Sequence, residues 1–118
     1  MNSRLKGQGG EDRAAAYLES QGYEIVARNF RSSFGEIDII ALDRDTLVFI
    51  EVKAWSLFGI ENLEYSITKQ KQQRIIKTAK FFIGTHREYN SMALRFDIIF
   101  IGNQGIHHLA SAFMERVL

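Results

Sequence analysis

Residues 34–55, FGEIDIIALDRDTLVFIEVKAW, decide the fold and raise a question about charge. Two runs rich in β-branched and aromatic residues, EIDIIAL (36–42) and TLVFIEVKA (46–54), flank the turn-forming DRD, and the stretch reads as a β-hairpin. Side chains at i and i+2 of a strand share a face, so Glu36 points with Asp38, and Glu51 with Lys53. With the turn centred near 44 or 45, position 38 lies opposite about 51 and 36 opposite about 53. The four charged groups then share a patch about 7 to 8 Å across. That patch is either the wet face of an ordinary hairpin or a site. Glu51 and Lys53 favour a site, because they close an otherwise apolar strand in which neither face is plainly solvent, and buried charge needs partners.

Working outward, Glu11–Gln21 carries a helical apolar stripe of Ala14, Ala15, Tyr17 and Leu18, stopped by Gly22 and Tyr23. YEIVARNF (23–30) alternates like a strand, and RSSFG turns it into the hairpin. WSLFGIENLEYS (55–66) is irregular, and its Phe58 and Tyr65 are either a satellite core or a substrate wedge. A second helix follows, with Thr68 as N-cap and Gly84 as its stop. Its apolar arc is Ile75, Ile76, Ala79, Phe82 and Ile83, and its solvent face is basic. LRFDIIFI (94–101) is apolar except at Arg95 and Asp97, as an interior strand is, and GNQG leads into a fifth strand, IHHLASAF (106–113). The order αβββαβ, with one more strand, is a mixed α/β fold: an antiparallel meander, then a crossover through the second helix. The chain reads as one domain, 1–118, with residues 1–9 as a flexible N-terminal arm.

With no cysteine among 118 residues, disulfides, thiolate catalysis and cysteine zinc sites are excluded, so a metal must be held by oxygen or imidazole. No signal-like segment or membrane-length apolar run is visible, and the expected location is the cytoplasm. The net charge of +1 conceals an uneven distribution. Residues 34–65 carry two basic and seven acidic groups, and residues 66–95 carry seven basic and one acidic. An acidic focus beside a basic segment suits a site that binds a cation and a polyanion together.

Clustered carboxylates repel, and one takes up a proton unless a cation neutralises them. Mg²⁺ or Mn²⁺ fits, since such ions prefer oxygen ligands and bind through one or two carboxylates together with water and a phosphate oxygen. A lysine beside that group stabilises the extra charge on a phosphorus under attack or helps activate the attacking water. Asp38, then Glu51 and Lys53 on the next strand, is thus an arrangement suited to phosphodiester hydrolysis. The histidines offer no competing site: His107 and His108 are neighbours on a strand and face opposite ways, and His86 lies in a loop. The glycine-rich GQGGEDR lacks the Gly-Lys-Ser/Thr ending of a phosphate-binding loop.

These motifs resemble the YraN family, small bacterial proteins predicted to be endonucleases of the PD-(D/E)xK restriction-endonuclease-like superfamily, distantly similar to archaeal Holliday junction resolvases. The resemblance runs through GEDRAAAYLESQGYEIVARNFR, GEIDIIA, DTLVFIEVK, the Lys71–Gln72 pair and RFDIIFI, nearly the whole chain. It implies the restriction-endonuclease-like αβββαβ core, a mixed sheet flanked by helices. It also implies that Asp38 and Glu51 are metal ligands, that Lys53 is the catalytic lysine, and that Gln72, which falls inside the apolar arc of the second helix, supports them. Glu36 joins the acidic set. Glu11 matches a helix glutamate that reaches the metal in the resolvase-like branch, or is simply an acid favoured by the helix dipole. Lys71, Arg74, Lys69, Arg31 and Trp55 are the candidate nucleic-acid contacts. Trp55 stands where the family often has a basic residue and offers a surface for stacking on an unpaired base. The implied activity is metal-dependent DNA hydrolysis on branched, flapped or single-stranded DNA, with a homodimer if both strands are cut. The alternative is a non-catalytic nucleic-acid-binding or complex-forming domain on the same fold.

Overall fold

The computed structural model describes residues 3–54, 67–103 and 105–114, with side chains from Gly9 onward. Trp55, Phe58 and Tyr65 lie outside the described residues. The elements follow the order α1 (Ser3–Ser20), β1 (Glu24–Ser32), β2 (Gly35–Asp43), β3 (Thr46–Ala54), α2 (Lys69–Thr85), β4 (Ala93–Gly102) and β5 (Gly105–Phe113), with a 3₁₀ turn at Arg87–Tyr89 before β4. The five strands form one sheet in sequence order, antiparallel throughout except for the parallel pair β3 and β4 that α2 connects. This is the expected mixed α/β architecture.

The interior strands explain the unbroken apolar runs. Leu47–Glu51 on β3 and Phe96–Ile101 on β4 are buried on both faces, as strands sandwiched between helices must be. On one face, Ala14, Ala15 and Leu18 of α1 meet Ile39, Ala41, Val48, Ile50 and Ile99. On the other, Ile75, Ile76, Ala79 and Phe82 of α2 meet Ile40, Leu47, Phe49 and Phe96.

Helix ends behave according to their chemistry. Gly22 has φ 91, and the Gly22 and Tyr23 N–H groups donate to the Glu19 and Leu18 carbonyls at 3.0 Å each, completing the expected Schellman stop of α1. The other end of α1 differs from expectation, because the helix already runs from Ser3 through the stretch read as a flexible arm. A helix nucleated by the buried turn at Ala14–Leu18 gains a hydrogen bond with each residue added, which offsets a glycine penalty of about 1 kcal/mol per residue. Gly84 is not the stop of α2 either. The helix continues to Thr85, whose hydroxyl donates to the Phe81 and Phe82 carbonyls, while His86 Nδ1–H donates to Phe82 O at 2.9 Å. Polar side chains satisfy the carbonyls that a left-handed glycine otherwise leaves to the backbone.

Thr68 is the expected N-cap: its Oγ1 accepts from the Lys71 N–H at 3.1 Å. Thr68→Ala is expected to cost about 1 kcal/mol, read as a lower urea midpoint at unchanged slope. An unchanged midpoint would show that the cap contributes nothing.

Candidate active site

The hairpin register runs from Asp43↔Thr46 to Ile39↔Ile50, so its continuation sets Asp38 opposite Glu51, as the turn position requires. There the backbone ladder gives way to a side chain: the Val52 N–H donates to Asp38 Oδ2 at 2.8 Å. On the other flank of β2, Asn29 of β1 has φ 53 and lies between the pairs Arg28↔Ile39 and Phe30↔Ile37. Strand alternation slips here, for Ile37 packs on the α2 side and Ile39 on the α1 side. Beyond Ile50 the strand β3 leaves β2 but stays paired with β4 to Ala54↔Ile101, and a cleft of about 480 Å³ opens against the first described side chains of α1. Glu11, Asp38, Glu51 and Lys53 line it together with Gly9 and Gly10.

Glu51 is only 8 % exposed. Burial first, then the Asp38 charge and a hydrogen bond to Asp38, push its carboxyl up to about 8, while Lys71 and Lys53 act in the opposite direction. Lys71 Nζ lies 3.4 Å from Glu51 Oε2, yet its side chain is 44 % exposed and its attraction is screened. Glu51 therefore keeps its proton at neutral pH. Glu11 is raised too, by burial and then by Asp38. Its Oε1 is buried and has no hydrogen-bond partner among the described residues.

These features test whether a cation fits. Among the described residues no three carboxylate or imidazole side chains already converge as a metal cage. The cleft instead holds a Glu51 carboxyl that burial and the neighbouring Asp38 charge keep protonated, with a Glu11 oxygen that has no partner among the described residues in the same lining. Two carboxylates with the remaining positions open to water suit a hard divalent ion such as Mg²⁺ or Mn²⁺, and the donor set fits.

The structure also separates residues that the spacing had grouped. Glu36 is absent from the described cleft lining and its carboxylate meets Arg31 Nε at 3.4 Å, but its charge still acts on Glu11 of the cleft. The slip at Asp38 breaks the i, i+2 rule that would have aligned the two acids. Gln72 is not among the described cleft-lining residues either, and its Nε2 donates to Ile67 O at 3.2 Å, which satisfies a carbonyl just before α2. Lys71, expected on phosphate, occupies Glu51. Lys69 and Arg74 are exposed on α2, and Arg31 is exposed on β1.

One cluster escaped the sequence reading. Asp97 is fully buried and accepts from Arg95 Nε at 2.9 Å, Arg95 Nη2 at 3.0 Å, His108 Nε2 at 2.7 Å and the Ser111 N–H at 3.0 Å. Arg95 also donates to Asp43 and to Tyr23 Oη, and His108 Nδ1 meets Tyr17 Oη at 3.1 Å. The signal was present: Arg95 and Asp97 were the only charges in an interior strand, and such charges are paired.

Comparison with known proteins agrees with the motifs. The family described as "Uncharacterised protein family UPF0102" matches residues 10–101, which include Glu11, Asp38, Glu51, Lys53 and Gln72. A UPF0102 protein of Persephonella marina is 48 % identical over 113 residues, 96 % of this chain and 97 % of its own length. The UPF0102 protein of Treponema pallidum is 42 % identical over 123 residues, 98 % of each chain. A third, from Rhodopseudomonas palustris, is 44 % identical over 108 residues, 91 % of this chain and 82 % of its own.

Proposed function

This chain belongs to the UPF0102 family, the YraN-like family its motifs resemble, and from that premise and the cleft we propose that it is a divalent-metal-dependent DNA endonuclease. The reading places it with the restriction-endonuclease-like nucleases and their resolvase-like branch. The observation that carries it is the buried Glu51 carboxyl, raised by burial and by the adjacent Asp38, in one cleft with Lys53. Asp38 and Glu51 would hold Mg²⁺ or Mn²⁺, with Glu11 available from α1. Such an ion supplies Lewis acidity at a phosphoryl oxygen and makes water a better nucleophile at neutral pH. Lys53 donates to a non-bridging phosphate oxygen and balances the charge that accumulates there as water attacks and the P–O bond breaks. Lys71, which lies against Glu51 in the ligand-free protein, would be free to turn to a phosphate once that carboxyl ionises and holds an ion.

The substrate we assign is DNA with a branch, flap or unpaired stretch. A net charge of +1 with an acidic hairpin does not favour tight, indiscriminate duplex binding. Symmetric cutting of both strands calls for two copies of the chain. The test is a panel of branched, flapped and linear DNAs with Mn²⁺, using wild type and Lys53→Ala. Wild type is expected to cut at least one branched or unpaired substrate, and the variant to lose about a hundredfold in rate. No cleavage of any DNA, or cleavage undiminished in the variant, would defeat the catalytic reading.

A second reading, a binding domain without catalysis, draws on Gln72 and Lys71, both already engaged within the protein. It expects DNA affinity unaffected by Mn²⁺ and no strand scission.

A further inference from the structure

Helix α2 carries five basic residues, Lys69, Lys71, Arg74, Lys77 and Lys80, and no acidic one. Arg74, Lys77 and Phe81 follow one another at i, i+3 and i+7 along one exposed stripe. The β1–β2 turn rests on that stripe: Ser32 Oγ lies 3.2 Å from Thr78 Oγ1, and a Cβ added to Gly35 would lie 3.4 Å from Arg74 Cβ. At the turn's tip stands Phe34, its N–H donating to Ser32 Oγ at 3.0 Å. Phe34 and Phe81 are 46 % and 45 % exposed, and Phe81 is backed by the Phe30 ring at 6.1 Å between centroids. The Arg31–Glu36 pair beside the turn adds no net charge. One exposed apolar side chain is ordinary on any protein. A half-exposed ring on a helix of cations without an acid, a second on the turn packed against it, and Lys71 of the same helix reaching Glu51 call for a ligand with flat apolar faces and regular negative charge.

Duplex DNA presents the charge but hides the faces of its bases; an unpaired strand presents both. We infer that this surface binds a single-stranded DNA segment, with Phe34 and Phe81 stacking on bases and Arg74 and Lys77 contacting phosphates, and directs it toward the cleft. The inference deepens the nuclease reading and rests on it for its substrate class. Lys71 and Phe81 are separated by about 15 Å of helix rise, about four stacked nucleotides at roughly 3.4 Å each.

The experiment is fluorescence anisotropy without divalent cation, using labelled oligothymidylate and a blunt duplex of equal length. Proteins compared are wild type, Phe34→Ala, Phe81→Ala and Phe34→Trp, each checked for an unchanged melting temperature. Each alanine variant is expected to bind oligothymidylate about tenfold more weakly while duplex affinity stays within about twofold, and Phe34→Trp to restore binding. No binding of oligothymidylate by wild type, no loss in either alanine variant, or equal losses on both DNAs would overturn the inference. A flap-cleavage assay with Mn²⁺ separates it from the catalytic reading. Selective binding through Phe34 without any cleavage keeps this surface and removes the nuclease; cleavage by wild type with normal binding in both alanine variants does the reverse.

Discussion

Asp97→Ala is expected to destabilise the fold by roughly 3–5 kcal/mol, the penalty for breaking a buried ion pair by removing one partner. The carboxylate receives four hydrogen bonds, and its loss strands the Ser111 N–H, His108 Nε2–H and half of the Arg95 guanidinium together. Asp43 still faces Arg95, so the guanidinium keeps one acid. Asp97→Asn, which preserves shape and one acceptor oxygen, is expected to lose about half as much. The two variants compared by urea denaturation distinguish charge from packing; equal, small losses would show that the cluster is a solvated ornament. Asp97 also confers a pH dependence. Burial opposes its ionisation, but His108, Arg95 and the Ser111 amide outweigh it and hold the carboxyl below the usual range. Its stabilisation is therefore complete above the ordinary carboxylate pKa and is lost as pH falls through the depressed folded value.

Glu51→Gln is expected to act in the opposite sense, abolishing cleavage while raising the stability of the metal-free protein at pH 7 by up to roughly 3 kcal/mol. In the unfolded chain the carboxyl ionises near 4.5, whereas in the fold it keeps its proton to about 8. Between those values the folded protein binds the extra proton, so stability declines as pH rises and levels off above about 8. Glutamine retains the size and hydrogen-bonding capacity of the protonated acid and removes the slope. Melting temperatures of both proteins at acid, neutral and alkaline pH, with and without Mg²⁺, measure this. The ion should stabilise wild type more than the variant. A Glu51→Gln protein that is less stable at pH 7, or that keeps the wild-type slope, would show that Glu51 does not keep its proton in the fold.

These two acids also mark what a sequence reveals and what it withholds. The Asp38–Glu51 juxtaposition was legible because a short loop fixes the register of a hairpin, and β-pairing then carries that register outward. The fold class followed from the same local logic, through the periodicity of the helices and the apolar runs of the interior strands. The position of Glu36 was harder to read because alternation assumes an unbroken strand, and the only local sign of the slip is Asn29, at φ 53, an asparagine being the kind of residue that adopts a positive φ. Gln72 was legible only in part: its place inside the apolar arc gave a direction but not the Ile67 carbonyl to which it donates. The Asp97 cluster joins residues from α1 to β5, with a bulge between Phe96 and Ile98 shifting the register, so the pairing of Asp97 with His108 depends on tertiary structure.

The same cluster gives α1 a polarity in local stability. Tyr17 and the following Tyr23 tie its C-terminal end to His108 and Arg95, whereas its opposite half lays Gly9 and Gly10 along the cleft. A methyl group at either glycine would meet nothing within 4 Å, so close packing does not demand glycine at these positions. Each glycine forgoes roughly 1 kcal/mol of helix propensity relative to alanine. Amide hydrogen exchange should accordingly be slowest around Leu18 and quicken toward Gly9, with opening near the cleft costing far less than global unfolding. The helix would then be anchored at one end and able to fray at the other, leaving room at the cleft without loosening the sheet beneath.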